Sequence, residues 1–199
     1  MISTVTEYVQ KDPQLALYAE HMNMLMIEND STLAEFKLSI SQKYKRHRPR
    51  LLILLGNPAL LMRDEYRELW GDIPIVLCSE ENYLGPQETY TKKQAIATAD
   101  RTPLTQLADP YNMVLLYSNL YLDENIQLIC HIVPEIKKFI FIGDARQINQ
   151  TNNLDIRNKL KKTHPNVEYQ FITPQDMTTN QLLDSLYFVD PKTTGVLFS

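Results

Sequence analysis

Two short, uniformly apolar runs bracket one helical pattern between Arg50 and Cys78, and this stretch constrains the fold most. Leu51-Leu52-Ile53-Leu54-Leu55 holds no polar residue, which fits a strand buried on both faces of a parallel sheet. Gly56-Asn57-Pro58 supplies a turn, a side-chain cap and a proline preset for a first helical turn. Ala59, Met62, Tyr66 and Leu69 recur at helical spacing until Gly71, which suits a left-handed C-terminal cap. Ile73-Pro74-Ile75-Val76-Leu77-Cys78 is a second buried strand, completing a right-handed β-α-β unit. An open α/β sheet follows, and a ligand would sit at the carboxyl ends of its strands.

The rest of the chain repeats this grammar with less regularity. Ile2, Val5 and Val9 make a short helical stripe, and Leu15–Ala19 reads as a strand with Glu20 and His21 at its end. Thr32-Leu33-Ala34-Glu35 matches a capping box ahead of Leu33, Phe36, Ile40 and Tyr44, the core face of a helix with a basic last turn. From Ser79 to Tyr111 the chain is polar, with a short helix expected around Tyr90–Ala97. Met113–Tyr117 is a strand, and Leu122, Ile126, Ile129 and Val133 mark a helix. Phe139–Ile142 is a buried strand ending in Gly143-Asp144, a helix follows to His164-Pro165, and 167–172 alternates as an edge strand does. Thr179–Phe188 is a helix and Gly195–Ser199 opens a last strand. The spacing predicts two α/β lobes with parallel sheets, residues 1–117 and 118–199, facing each other across a cleft. The opening helix has no strand before it and the last strand no helix after it, so the chain reads as a piece of a longer protein.

Composition removes several functions. The net charge of -4 argues against a nucleic-acid binder, and no apolar run approaches the length of a membrane helix. The five glycines are too scattered for a G-x-G-x-x-G or P-loop phosphate cradle. Cys78 and Cys130 sit in apolar contexts that suit free thiols, with a disulfide or a metal pair as alternatives. His21, His47, His131 and His164 share no metal-ligand spacing, no nucleophile elbow is present, and neither cofactor nor metal is expected.

The residues at the strand ends are the candidate binding set. Asn57 caps its helix or faces a ligand beside exposed helix N–H groups. Ser79, Glu80, Asn82 and Tyr83 follow the second buried strand, and either line the cleft or form a solvated loop. Ser118 and Asn119 stand at the crossover between lobes. Asp144, with Arg146 and Gln147, ends the strand of the second lobe, suiting a polar ligand or a capped turn, and Glu20 and His21 end the Leu15–Ala19 run. Asp144 after a buried strand also fits a phospho-receiver, but the acidic pair and the lysine such a site needs are missing from the matching strand ends.

Leu51–Ala59, Ile73–Asn82, Phe139–Asp144, Leu182–Leu186 and Thr194–Phe198 together resemble the periplasmic sensor regions of Bacteroides-type hybrid two-component histidine kinases. Those regions are similar to type I periplasmic binding proteins, close to the ABC-transporter substrate-binding proteins of the tryptophan/tyrosine type. The resemblance spans nearly the whole chain and carries no catalytic signature, so it implies a non-catalytic sensor module in a membrane-anchored kinase on the periplasmic side of the inner membrane. Its expected partner is a small polar solute of the sugar, nucleoside or amino-acid class, with a degenerate scaffold acting through a homodimer or a partner protein as the alternative. The family's first strand and closing segments have no counterpart here.

Overall fold

The computed structural model describes residues 2–118 and 120–199, and it is mixed α/β with parallel sheets. After helix α1 (Ile2–Gln10), residues 11–29 form no strand; Leu15 and Leu17 are exposed, and Tyr18 sets its ring edge-on to Tyr44, with centroids 6.0 Å apart. The expected Leu15–Ala19 strand fails because no neighbouring strand takes up its backbone donors. Helix α2 (Asp30–Tyr44) begins three residues earlier than the capping-box motif implied. Asn29 is the N-cap, accepting from Thr32 N–H, while the Thr32 hydroxyl accepts from Asn29 N–H.

Strand β1 (Leu52–Leu55) leads through Gly56, at φ 84°, into a 3-10 turn at Asn57–Met62, and helix α3 (Arg63–Trp70) follows. Gly71, at φ 69°, ends α3 in a conformation that only glycine adopts without strain. Strand β2 (Ile75–Ser79) pairs in parallel with β1. The polar stretch then makes the strand β3 (Tyr83–Leu84), helix α4 (Gln87–Thr91), strand β4 (Thr102–Pro103) and helix α5 (Leu104–Ala108). β3 and β4 form an antiparallel ribbon, and the helix expected over Tyr90–Ala97 instead ends at Thr91. Strand β5 (Met113–Tyr117) completes a first sheet of order β1-β2-β5.

Helix α6 (Leu122–Ile132), strand β6 (Lys138–Ile142), helix α7 (Gln147–Thr163), strand β7 (Glu168–Ile172), helix α8 (Thr179–Tyr187) and strand β8 (Thr194–Phe198) build the second unit. Its sheet runs β7-β6-β8, all parallel, with 168–172 at the edge that its alternation implied. β6 is covered on both faces: Phe139 and Phe141 pack with Ile126, Ile156 and Leu160, while Ile140 and Ile142 pack with Ile172 and α8.

The first sheet departs from the expectation of double burial. Leu54, Ile75, Leu77 and Met113 face a core shared with Leu33, Ile40, Tyr66, Trp70 and Leu104. The opposite face carries two apolar rows set by the register, Ile53-Val76-Val114 and Leu55-Cys78-Leu116. Ile53 is 40% exposed and Leu116 56%, so one face of a parallel sheet stands bare.

Gly195 is buried in β8 because α6 lies directly against it. A Cβ there would approach Ile129 Cγ2 to 2.3 Å and Ile136 Cδ1 to 3.0 Å, and a β-branched side chain in a packed core yields little. Gly195→Ala should therefore cost about 2 kcal/mol of unfolding free energy, measured by urea titration.

Candidate functional site

The side chains at the carboxyl ends of β1 and β2 converge with the first turns of α7, which begins just after β6. Sheet alternation aims them: Ile75, Leu77, Ser79 and Glu81 point to one side, and Val76, Cys78 and Glu80 to the other. Asn57 is 2% exposed and makes no cap bond to its helical turn. Its amide instead donates to the carbonyl of Tyr83 and, at 3.4 Å, to that of Glu81. The Ser79 hydroxyl accepts from Glu81 N–H at 3.0 Å and lies within donating reach of Asn57 Oδ1 and the Glu81 carbonyl. These bonds fold residues 79–83 back over the end of the sheet.

Glu81 is the centre of the cluster. Glu81 is 7% exposed, its carboxylate accepts from Tyr83 Oη at 2.7 Å, and the Gln147 side chain lies near enough to draw its pKa down. Burial pushes its pKa above the ordinary glutamate range, against the pull of these donors and of the nearby Arg101 charge. The Tyr83 phenol is raised in turn, by its own burial first and then by the Glu81 charge. Arg101 lies over the Tyr83 ring, with its guanidinium carbon 4.6 Å from the centroid, and donates to both Asp155 oxygens at 2.7 and 2.9 Å.

Three links thus join the two units among the described residues. Gln147 reaches Glu81, Ile96 N–H donates to Thr151 Oγ1 at 3.0 Å, and Arg101 pairs with Asp155. Gln147 Nε2 also donates to Thr151 Oγ1 at 2.7 Å, which ties the first two links together. Arg101 further donates to the Ile96 carbonyl, closing the 96–101 turn against α7. Chemically the cluster brings together two carboxylates, a phenol, a guanidinium, two amides and two hydroxyls, groups that can exchange hydrogen bonds with hydroxyl or amide partners. Among the described residues, no three His, Cys, Asp or Glu side chains are grouped to hold a metal ion.

The sequence-predicted residues divide. Asn57, Ser79, Tyr83 and Gln147 belong to the cluster. Glu80 and Asn82 are exposed on the opposite side of the same segment, and Asn82 contributes only its carbonyl, accepting from Leu104 N–H at 2.9 Å. Ser118 is exposed and donates its backbone N–H to Ser79 O, extending the sheet ladder; Asn119 lies outside the described residues. Asp144 and Arg146 form their own turn. Arg146 N–H and Asn149 Nδ2 donate to Asp144 Oδ1, and Arg146 Nε donates to Oδ2 at 2.6 Å. Burial opposes ionisation of Asp144, yet these donors hold its pKa below the ordinary aspartate value. Glu20 is engaged elsewhere, held by Lys43 and Tyr44 on α2.

Glu81, Arg101, Thr151 and Asp155 are the cluster members outside the sequence-derived set. The period of two running from Ile75 through Ser79 was the signal for Glu81. Gln147 and Thr151 lie four apart, one helical turn, on the face that meets lobe one. Arg101 had no local signal. No protein-family model matches the chain, and a search of curated proteins finds no match either.

Proposed function

We propose that this chain is a solute-sensing domain of the type I periplasmic binding-protein kind, belonging to the extracytoplasmic part of a two-component sensor histidine kinase. The observation that carries the reading is the buried polar cluster joining the carboxyl ends of two separate parallel sheets, the place where open α/β sheets bind ligands. In this reading a small polar solute takes the place of the approach of Gln147 to Glu81 and of the bond from Ile96 to Thr151. It then bridges the lobes, and its differential affinity for open and closed arrangements drives the signal. The chain itself performs no catalysis in this account. A thermal-shift screen with sugars, nucleosides and amino acids tests it. One class should raise the melting temperature, and Thr151→Val should weaken the response at least tenfold in ligand concentration. Silence across all three classes, or a response that Thr151→Val leaves intact, overturns the reading.

The bare face of the first sheet favours a second reading, a scaffold that signals through dimerisation or a partner protein. Two apolar rows on a parallel sheet are a surface that other proteins cover. Sedimentation that depends on concentration and is abolished by Leu116→Lys would favour it.

A further inference from the structure

We infer that lobe one carries its own binding site for a small zwitterion, a molecule bearing a carboxylate and an ammonium on one short apolar frame. The site is an open groove of about 300 Å³ between α2, the start of α3, the segment after β3, and α5. That volume lies at the lower end for small-ligand pockets. None of the cluster residues that join the lobes lines it.

The charges along the groove decide the ligand class. Lys37 is spent: its ammonium pairs with Glu65 Oε1 at 2.8 Å and reaches Gln87 Oε1 at 3.5 Å. Asp64 accepts from Tyr111 Oη at 2.6 Å. Arg63 is only partly engaged. It donates to the Leu60 carbonyl at 3.2 Å, its closest carboxylate oxygen is Asp64 Oδ2 at 4.0 Å, and its Nε is buried with no partner. The guanidinium carbon lies 5.9 Å from the Tyr111 ring centroid, so a cation–π contact replaces part of its hydration, and among the described residues no carboxylate oxygen comes closer than 4.0 Å. Asp100, at the other end of the charge balance, has no side-chain partner among the described residues.

One cation without a close carboxylate and one carboxylate without a side-chain partner among the described residues therefore line the same groove, beside the apolar side chains of Leu61, Leu84 and Leu107. A phosphate or dicarboxylate would meet Asp64 and Asp100 as like charges, and a simple amine would meet Arg63 as one. A ligand with separated opposite charges satisfies both. Its carboxylate would accept from Arg63, its ammonium would donate to Asp100, and its apolar arm would lie on the leucines.

Isothermal titration of the full chain tests this, with L-leucine, glycine betaine and 4-methylpentanoate as probes. L-leucine or betaine should bind saturably with a dissociation constant below about 1 mM. Tighter binding of L-leucine assigns the groove to primary ammonium groups, and tighter binding of betaine to quaternary ones. 4-Methylpentanoate, which lacks the ammonium, should bind at least tenfold more weakly. Arg63→Met and Asp100→Asn should each weaken zwitterion binding at least tenfold. Asp100 sits on an exposed turn, so its variant keeps the fold. Glu81→Gln and Thr151→Val should leave this binding unchanged, which separates it from solute binding between the lobes. No saturable binding of either zwitterion, or binding that survives both groove variants, overturns the proposal.

Discussion

Arg101→Met is expected to lower the unfolding free energy by about 3–4 kcal/mol and to let the two units melt apart. The Arg101 and Asp155 side chains are 17% and 31% exposed, so the pair is mostly but not fully withdrawn from water. Breaking a buried pair by removing one partner typically costs about 3–5 kcal/mol, and the partial exposure discounts that figure. Asp155 would be left without its cation, the Ile96 carbonyl would lose its donors, and Glu81 would lose the nearest positive charge. Methionine keeps the apolar contact with the Tyr83 ring, so packing alone does not account for the loss. Trp70 is the single tryptophan and sits in the core of the first unit, so its fluorescence reports that unit alone. In the parent chain, urea transitions followed by fluorescence and by far-UV circular dichroism should coincide; in the variant they should separate. Arg101→Met with Asp155→Asn should cost less than the sum of the single changes, because the double change leaves no unpaired charge. Coincident transitions in Arg101→Met, with additive energies, would mean that the pair does not hold the units together.

The strands were legible in the sequence wherever burial is strong enough to exclude polar residues. Phe139–Ile142 is the clearest case, because both its faces are covered and every position is apolar. Leu51–Leu55 looks the same on paper, yet Ile53 and Leu55 face outward on the bare side of the first sheet. A run of leucines records that a face is apolar, not what covers it. Leu15–Ala19 has strand-like residues but lacks a partner edge, and pairing is a non-local property. Within the candidate site, Asn57 and Ser79 were legible as strand ends. Glu81 was hidden because a glutamate after a strand usually belongs to a solvated turn; here Ser79 and Asn57 fold residues 79–83 inward. Arg101 and Asp155 are 54 residues apart, in a stretch without periodicity and on the flank of a helix. Their meeting depends on how the two units dock, which no local pattern encodes.

Glu81 should give the chain an unusual pH signature, one that its glutamine variant erases. Burial raises the carboxyl's pKa above the ordinary 4.5. Between that value and the raised one, the folded chain holds a proton that the unfolded chain has released, so Glu81's contribution to stability falls as pH rises through this window. Asp144 acts in the opposite sense. Its pKa is held below 3.8, so its contribution is present above that value and is lost on further acidification. Comparing parent and variant at each pH cancels Asp144 and isolates Glu81. Glu81→Gln keeps an acceptor for the Tyr83 hydroxyl and for Gln147 without placing a charge between Tyr83, Gln147, Arg101 and Asp155. The variant should match the parent's stability below pH 4.5, then exceed it by a margin that widens with pH until Glu81 is fully ionised in the folded state. Glu81→Ala should behave differently, costing about 3 kcal/mol in acid, because two buried donors lose their acceptor and a cavity remains. Urea titrations from pH 3.5 to 8 would read both outcomes. A margin between Glu81→Gln and the parent that stays flat with pH would show that the Arg101 charge offsets the burial of Glu81, leaving the junction between the units indifferent to protons.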